Sequence, residues 1–103
     1  MKKLLLRALA EADIVTALDY YQASAPEYTS DFIDDIENAF RHIQKFPATG
    51  SGRYAYELNL PNLRTWPCRR FPYLIFYVEQ LLHVEVLRVL HSKKDIPSSL
   101  QAE

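Results

Sequence analysis

The spacing of apolar residues changes along the chain, and each change marks a different kind of element. Residues 4–6 are all leucine, a run long enough for a brief strand. From about Leu9 to Pro47 the apolar residues recur every three or four positions, which is the spacing of helices. After Arg53 short apolar runs alternate with turn residues, as in strands. The pattern therefore predicts a strand, then helices, then a series of strands.

Two helices are predicted in the first half. Their apolar faces are Ile14, Leu18, Tyr21 and Ala25 in the first, and Ile33, Ile36, Phe40 and Ile43 in the second. Between them, Ser24-Ala25-Pro26-Glu27 has the form of a capping box. Because so little chain separates the helices, we expect an antiparallel helical hairpin. The charged residues of the second helix, Asp35 among them, are assigned to solvent.

Four strands are predicted in the second half, at Tyr54–Leu60, Leu63–Phe71, Tyr73–Val78 and Leu82–Leu90. The order β-α-α-β-β-β-β predicts an α+β fold, with the helical hairpin packed on one face of a mostly antiparallel sheet. The length suits a single domain over residues 1–103. Pro97 to Glu103 is polar and expected to fray.

The last hairpin is apolar on more than one face. In Tyr73–Val78 both alternating sets of side chains are apolar, so this strand is expected at the centre of the sheet. One face should meet the helices, and the other is either covered or open to a partner, which is the interpretation we favour. In the following strand the alternation is clear up to Val86 and then becomes irregular. That irregularity predicts either burial on both faces or a β-bulge near Leu87.

Composition and charge exclude several classes of protein. The chain is 49% apolar and 24% charged, which is ordinary for a globular domain. Its net charge of -1 lacks the positive balance of a nucleic-acid module, so any such contact would need a local patch. No stretch resembles a signal peptide or a membrane span, and we expect a cytoplasmic protein. The three histidines and Cys68 have no ligand spacing, so neither a metal nor a cofactor is predicted.

Four pieces of the sequence, in chain order, carry a resemblance to a known family. They are Ala12-Asp13-Ile14 with Tyr20-Tyr21, then Lys45-Phe46-Pro47 with a glycine soon after, then Arg69-Arg70-Phe71-Pro72-Tyr73-Leu74-Ile75-Phe76-Tyr77, then Leu87-Arg88-Val89-Leu90-His91 followed by Lys93 and Lys94. Together they resemble the RelE/ParE superfamily, the toxin halves of bacterial type II toxin–antitoxin systems. The ParE branch is the more similar one.

The resemblance implies a growth-arresting toxin, of the kind used in plasmid stabilisation, that is held in a hetero-oligomer by a cognate ParD-like antitoxin. A ParE-like toxin inhibits DNA gyrase and so meets nucleic acid only indirectly. One alternative is a RelE-like, metal-independent mRNA endoribonuclease that acts on the ribosome. Another is an attenuated toxin that serves only as an antitoxin-binding module.

The site residues follow from these alternatives. Under the gyrase interpretation none is catalytic, and the candidates for target binding are Arg69, Arg70, Arg88, His91, Lys93 and Lys94. Under the ribonuclease interpretation the catalytic set would be Arg64, Arg70, Arg88 and His91, with cations stabilising the phosphate charge. No tyrosine follows Tyr77, and RelE-like enzymes have one, which favours the gyrase interpretation. The antitoxin-binding candidates are Tyr73, Ile75, Tyr77, Leu87 and Val89. Arg88 has a structural alternative, an ion pair with Glu85 or with a helix acid.

Overall fold

Four strands and four helices make up the computed structural model, which describes residues 1–101. In chain order they are β1 (Lys3–Leu6), α1 (Ala8–Ser24), α2 (Thr29–Lys45), α3 (Arg53–Leu58), β2 (Leu63–Pro67), β3 (Tyr73–Glu79), β4 (His83–His91) and α4 (Ile96–Gln101). The sheet has the order β1-β4-β3-β2, with β1 parallel to β4 and the other pairs antiparallel. The predicted α+β fold with a helical hairpin is confirmed. None of the helices in this part of the chain has the length and apolar character that a membrane crossing requires.

The helical hairpin covers one face of the sheet, as expected. A 3₁₀ turn at Pro26–Tyr28 joins α1 to α2. The buried residues of this layer are Ala10 and Ala17 of α1, Phe32, Ile36, Ala39 and Ile43 of α2, and Ile75, Tyr77, Val84, Val86 and Val89 of the sheet. Ile33, which the spacing assigned to the buried face, is 40% exposed. The capping box is absent, because no side chain caps the 3₁₀ turn or α2.

The predicted strand at Tyr54–Leu60 is wrong, since this segment forms α3. Strand alternation would put Tyr54 and Tyr56 on one face, but Tyr54 packs against the sheet while Tyr56 is 92% exposed. The apolar contacts come instead from Tyr54, Ala55 and Leu58, which share one side of a helix. A short apolar run fits either period. The helix ends where Asn59 adopts a left-handed conformation with φ of 54°.

The second face of the sheet is covered by the chain itself. α3 and α4 pack there over Leu63, Phe76, Leu87 and Leu90. The expectation of a frayed end is wrong for α4, where Ile96 and Leu100 are 4% and 5% exposed. The last two residues of that expectation, Ala102 and Glu103, lie outside the described part of the chain. β3 is therefore a central strand with cover on both sides.

Both halves of the prediction for β4 hold, because the strand carries a bulge and is buried on both faces. Phe76 pairs with Arg88, whereas the next residue, Tyr77, pairs with Val86, so Leu87 is the extra residue. After the bulge the alternation resumes one position out of phase. Val86 and Val89 consequently both pack under the helical hairpin.

Candidate functional site at the basic end of the sheet

The sheet brings most of the predicted basic residues to one end. The β2–β3 connection carries Arg69 and Arg70, and the segment after β4 carries Lys93 and Lys94. These segments are adjacent, because the N–H of Ser92 donates to the carbonyl of Pro72 at 2.8 Å. The four side chains are exposed. We call them, together with His91, the basic end.

His91 joins the two halves of the basic end. Its ring packs edge-to-face on Tyr73, with 5.3 Å between ring centroids, and its Nδ1 accepts the N–H of Lys93 at 3.1 Å. Burial, followed by the neighbouring Tyr21 hydroxyl, raises the pKa of Tyr73 to about 12, so this phenol stays neutral at physiological pH. The contact of His91 with Tyr73 is thus a packing contact between two rings, because a neutral phenol forms no ion pair.

Asp35 of α2 holds the arginine-bearing connection in place. Its carboxylate accepts the backbone N–H groups of Arg69 at 3.3 Å, Arg70 at 3.0 Å and Phe71 at 2.8 Å. The residue is 3% exposed, so its assignment to solvent is wrong. The sequence contains a signal for this burial, since Asp35 lies three residues after buried Phe32 and four before buried Ala39. With the backbone fixed, both arginine side chains project outward.

Arg88 lies apart from the exposed basic residues. Its Nε and Nη2 donate to the two carboxylate oxygens of Asp13 on α1, at 2.8 and 2.9 Å, and its Nη1 donates to the carbonyl of Ser99 at 2.8 Å. The side chains of Arg88 and Asp13 are 10% and 12% exposed. The helix-acid pairing considered for this residue is the arrangement present in the structure. Arg88 therefore links β4, α1 and α4.

The residues of the ribonuclease interpretation are not brought together. Arg64 and Arg88 pair with Tyr77 and Phe76, which are consecutive in β3 and so face opposite sides of the sheet. The Arg64 guanidinium donates to the carbonyl of Gly50 at 2.9 Å. Arg70 and His91 are at the basic end. No single surface thus collects all four groups.

Four of the five antitoxin-binding candidates are buried in the two core clusters. Ile75 and Tyr77 are 0% exposed and Val89 is 2% exposed, all beneath the helical hairpin. Leu87 is 8% exposed under the layer of short helices. Tyr73 is half-buried and keeps some exposed surface. Sequence spacing showed two apolar faces but not which faces the chain covers by itself.

Tyr77 has an internal role that ties the loop after α2 to the sheet. Its hydroxyl donates to the carbonyl of Pro47 at 2.6 Å and accepts the N–H of Gly50 at 3.1 Å. Burial raises the pKa of this phenol, which keeps the hydroxyl protonated and able to donate. A Cβ atom added at Gly50 would lie 2.2 Å from the Tyr77 hydroxyl oxygen. Gly50 is required here by close approach.

We predict that Gly50→Ala lowers the free energy of unfolding by about 1–3 kcal/mol, because the methyl group must displace the Tyr77 hydroxyl from its hydrogen bonds. Gly52→Ala is the matched control, since a Cβ atom there meets nothing within 4 Å. Urea unfolding of both variants checks the prediction. Equal midpoints for the two variants would show that the loop moves aside without cost.

Cys68 and the acidic and histidine residues offer no nucleophile or metal centre in the described chain. Burial, with a smaller contribution from Asp35, raises the pKa of the Cys68 thiol to about 12, so little reactive thiolate forms near neutral pH. Within residues 1–101, no three His, Cys, Asp or Glu side chains are grouped so that they could hold a metal ion. The exposed cations of the basic end can bind anionic groups.

Comparison with known proteins identifies a matching family and similar solved structures. A family model described as the ParE toxin of the type II toxin–antitoxin system, parDE, matches residues 4–96. A search among curated protein sequences finds no match. Among solved structures, one described as the chromosomal ParDE TA system from P. aeruginosa is similar, with a TM-score of 0.74 and 23% identity. The match covers 90% of this chain and 98% of that chain, and at this identity the likeness concerns the fold.

Proposed function

Because this chain belongs to the ParE toxin family of type II toxin–antitoxin systems, we propose that it inhibits DNA gyrase and halts replication. The observation that supports this most directly is the basic end. There Asp35 fixes the backbone of Arg69 and Arg70, and both side chains are exposed beside Lys93 and Lys94. Such a surface can recognise carboxylate or phosphate groups through charge-assisted hydrogen bonds.

The arrangement of the basic residues suits binding better than catalysis. Cleavage of RNA would need an acid, a base and cations close to one phosphate. Arg64 and Arg88 face opposite sides of the sheet, and Arg88 is committed to Asp13. We therefore propose Arg69, Arg70, His91, Lys93 and Lys94 as the target-binding set, with Arg88 acting as their internal support. In this proposal the protein acts in the cytoplasm.

The proposed protein partner is a ParD-like antitoxin, made together with the toxin and bound to it in a hetero-oligomer. Ile75, Tyr77 and Val89 could contact it only if the helical hairpin moved away from the sheet. Tyr73 remains a proposed contact, because part of its side chain is exposed. The rest of the antitoxin surface must come from outside the core.

We predict that the purified chain inhibits gyrase supercoiling and that Arg69→Ala with Arg70→Ala raises the concentration needed by about a hundredfold. The reason is the loss of two charge-assisted contacts, each worth about 1.5 kcal/mol. Supercoiling of relaxed plasmid is the measurement. In cells, expression without the antitoxin should arrest growth and produce filaments.

The control is Arg53→Ala, which removes an equally exposed arginine from α3 on another part of the surface. It should leave inhibition unchanged. Unaffected gyrase together with ribosome-dependent cuts in mRNA, seen by primer extension, would favour the endoribonuclease. Harmless expression with normal antitoxin binding would favour the attenuated binding module.

A further inference from the structure

A groove of about 830 Å³ lies between α2 and the β2–β3 connection, next to the basic end. Its lining includes Asn38, Ala39 and His42 of α2, and Trp66, Pro67 and Cys68 of β2 and the connection. This size is typical of a site for a compact ligand or a few side chains of a partner. The gyrase proposal uses Arg69 and Arg70 of the lining and gives the rest of the groove no role.

Two residues of the lining, His42 and Trp66, form a stacked aromatic pair that we call the floor of the groove. His42 stacks on Trp66 with 3.8 Å between ring centroids and 16° between planes. The Nε2 atom of His42 lies 2.9 Å from the Thr49 hydroxyl, which orients the imidazole. Phe46 packs on the same imidazole at 5.5 Å and is 55% exposed. An apolar side chain from a partner would bury surface here without reorganising the floor.

The rim of the groove is positively charged. The side chain of Arg69 makes no hydrogen bond or ion pair within the described residues. Arg70 is 60% exposed and meets Asp31 only at 3.5 Å. The one carboxylate in the lining belongs to Asp35, whose oxygens already accept three backbone N–H groups.

We propose that this groove binds an acidic peptide segment, with an apolar side chain against the Trp66–His42 floor and carboxylates on Arg69 and Arg70. Arginine forks match carboxylates in this way. The identity of the partner rests on the proposed function, under which the segment belongs to the antitoxin. Its binding would also withhold these two arginines from the target.

A peptide suits the groove better than a nucleic acid. A phosphate backbone needs cations along its length, whereas the groove lining offers only Arg69 and Arg70, beside the carboxylate of Asp35. His42 already occupies one face of the indole, where a base would stack. A short segment with its own carboxylates placed at the arginines avoids both difficulties.

The groove contains its own reporter, because Trp66 is the only tryptophan in the chain. We expect binding of the purified antitoxin, with any tryptophan of its own replaced by phenylalanine, to shift Trp66 emission. Arg69→Glu with Arg70→Glu should weaken antitoxin binding by about tenfold or more. Arg53→Glu, the same charge reversal on α3, should leave it unchanged.

The outcomes separate this inference from the proposed function. A stable complex that leaves Trp66 emission unchanged, and that tolerates the double reversal at Arg69 and Arg70, would overturn the groove as the binding site while the toxin–antitoxin assignment stood. A chain that forms no complex with the antitoxin would overturn the proposed partner itself. A shift of Trp66 emission by a short single-stranded DNA oligonucleotide, and not by the antitoxin, would also reject the peptide.

Discussion

Replacing Arg88 with alanine is expected to lower the free energy of unfolding by about 3–5 kcal/mol, which is the usual cost of breaking a buried ion pair by removing one partner. The variant would leave the Asp13 carboxylate inside the fold without its arginine. The carboxylate would still accept the N–H of Val89, at 3.0 Å. It would also release the carbonyl of Ser99 and so loosen α4. The free energy of unfolding of a native domain is only about 5–15 kcal/mol, so this loss is a large share of it.

The matching double-mutant cycle shows whether the energy belongs to the pair. Asp13→Ala should destabilise by a similar amount, and Asp13→Ala with Arg88→Leu should cost less than the sum of the single changes. Arg88→Lys keeps the charge but not the two-pronged geometry, and it offers a milder variant should alanine abolish folding. Urea unfolding gives these changes in the free energy of unfolding. In thermal unfolding, each kcal/mol lost should lower the Tm by about 4–8 °C.

Arg53→Ala is the control for Arg88→Ala, because it breaks an exposed i,i+4 pair with Glu57 on α3. Its effect should stay below about 0.5 kcal/mol. Equal stability of the two variants would contradict the structural role of Arg88. Arg88 would then again be a candidate for target binding.

The second large effect is expected at Asp35. Asp35→Ala should lower the free energy of unfolding by about 3 kcal/mol, because three backbone N–H groups lose a charged acceptor and each such loss costs about 1 kcal/mol or more. Amide hydrogen exchange should report the change locally, with faster exchange at Arg69, Arg70 and Phe71. Gyrase inhibition should fall as well, since the two arginines lose their fixed backbone.

Asp34→Ala is the control for this prediction, as its neighbouring carboxylate is exposed. It should change neither stability nor the exchange of the connection. Asp35→Asn should lie between the two, since one amide oxygen can still accept a hydrogen bond. If these three amides exchange no faster in Asp35→Ala than in the unaltered chain, other contacts hold the connection.

The two predictions bear on how the basic residues are interpreted. Six basic residues were candidates for target binding, and they fall into two kinds. Five lie at the basic end, whereas Arg88 is buried against Asp13. A loss of toxicity in an Arg88 variant would therefore need a stability measurement before it could count as a loss of target contact. Variants of Arg69, Arg70, Lys93 and Lys94 test target contact without that complication.

Local spacing was sufficient for most of the fold. The two long helices follow from their apolar faces, and β3 and β4 were located almost to their ends. The bulge at Leu87 was visible as an interruption of the two-residue alternation. Spacing failed at α3, where six residues satisfied both periods and only contact with the sheet selected the helix. It failed again at α4, whose two buried apolar residues stand in an otherwise polar segment.

By itself the sequence determined the α+β class, the helical hairpin, the central β3 strand and the family, because these depend on periodicity and on motifs within single segments. Only the tertiary structure decided which apolar faces remain open and which charges remain free. Asp35 meets Arg69 across 34 positions of chain, and Asp13 meets Arg88 across 75. The groove beside Trp66 likewise joins α2 to β2. Contacts of this kind depend on how elements pack, which no local pattern encodes.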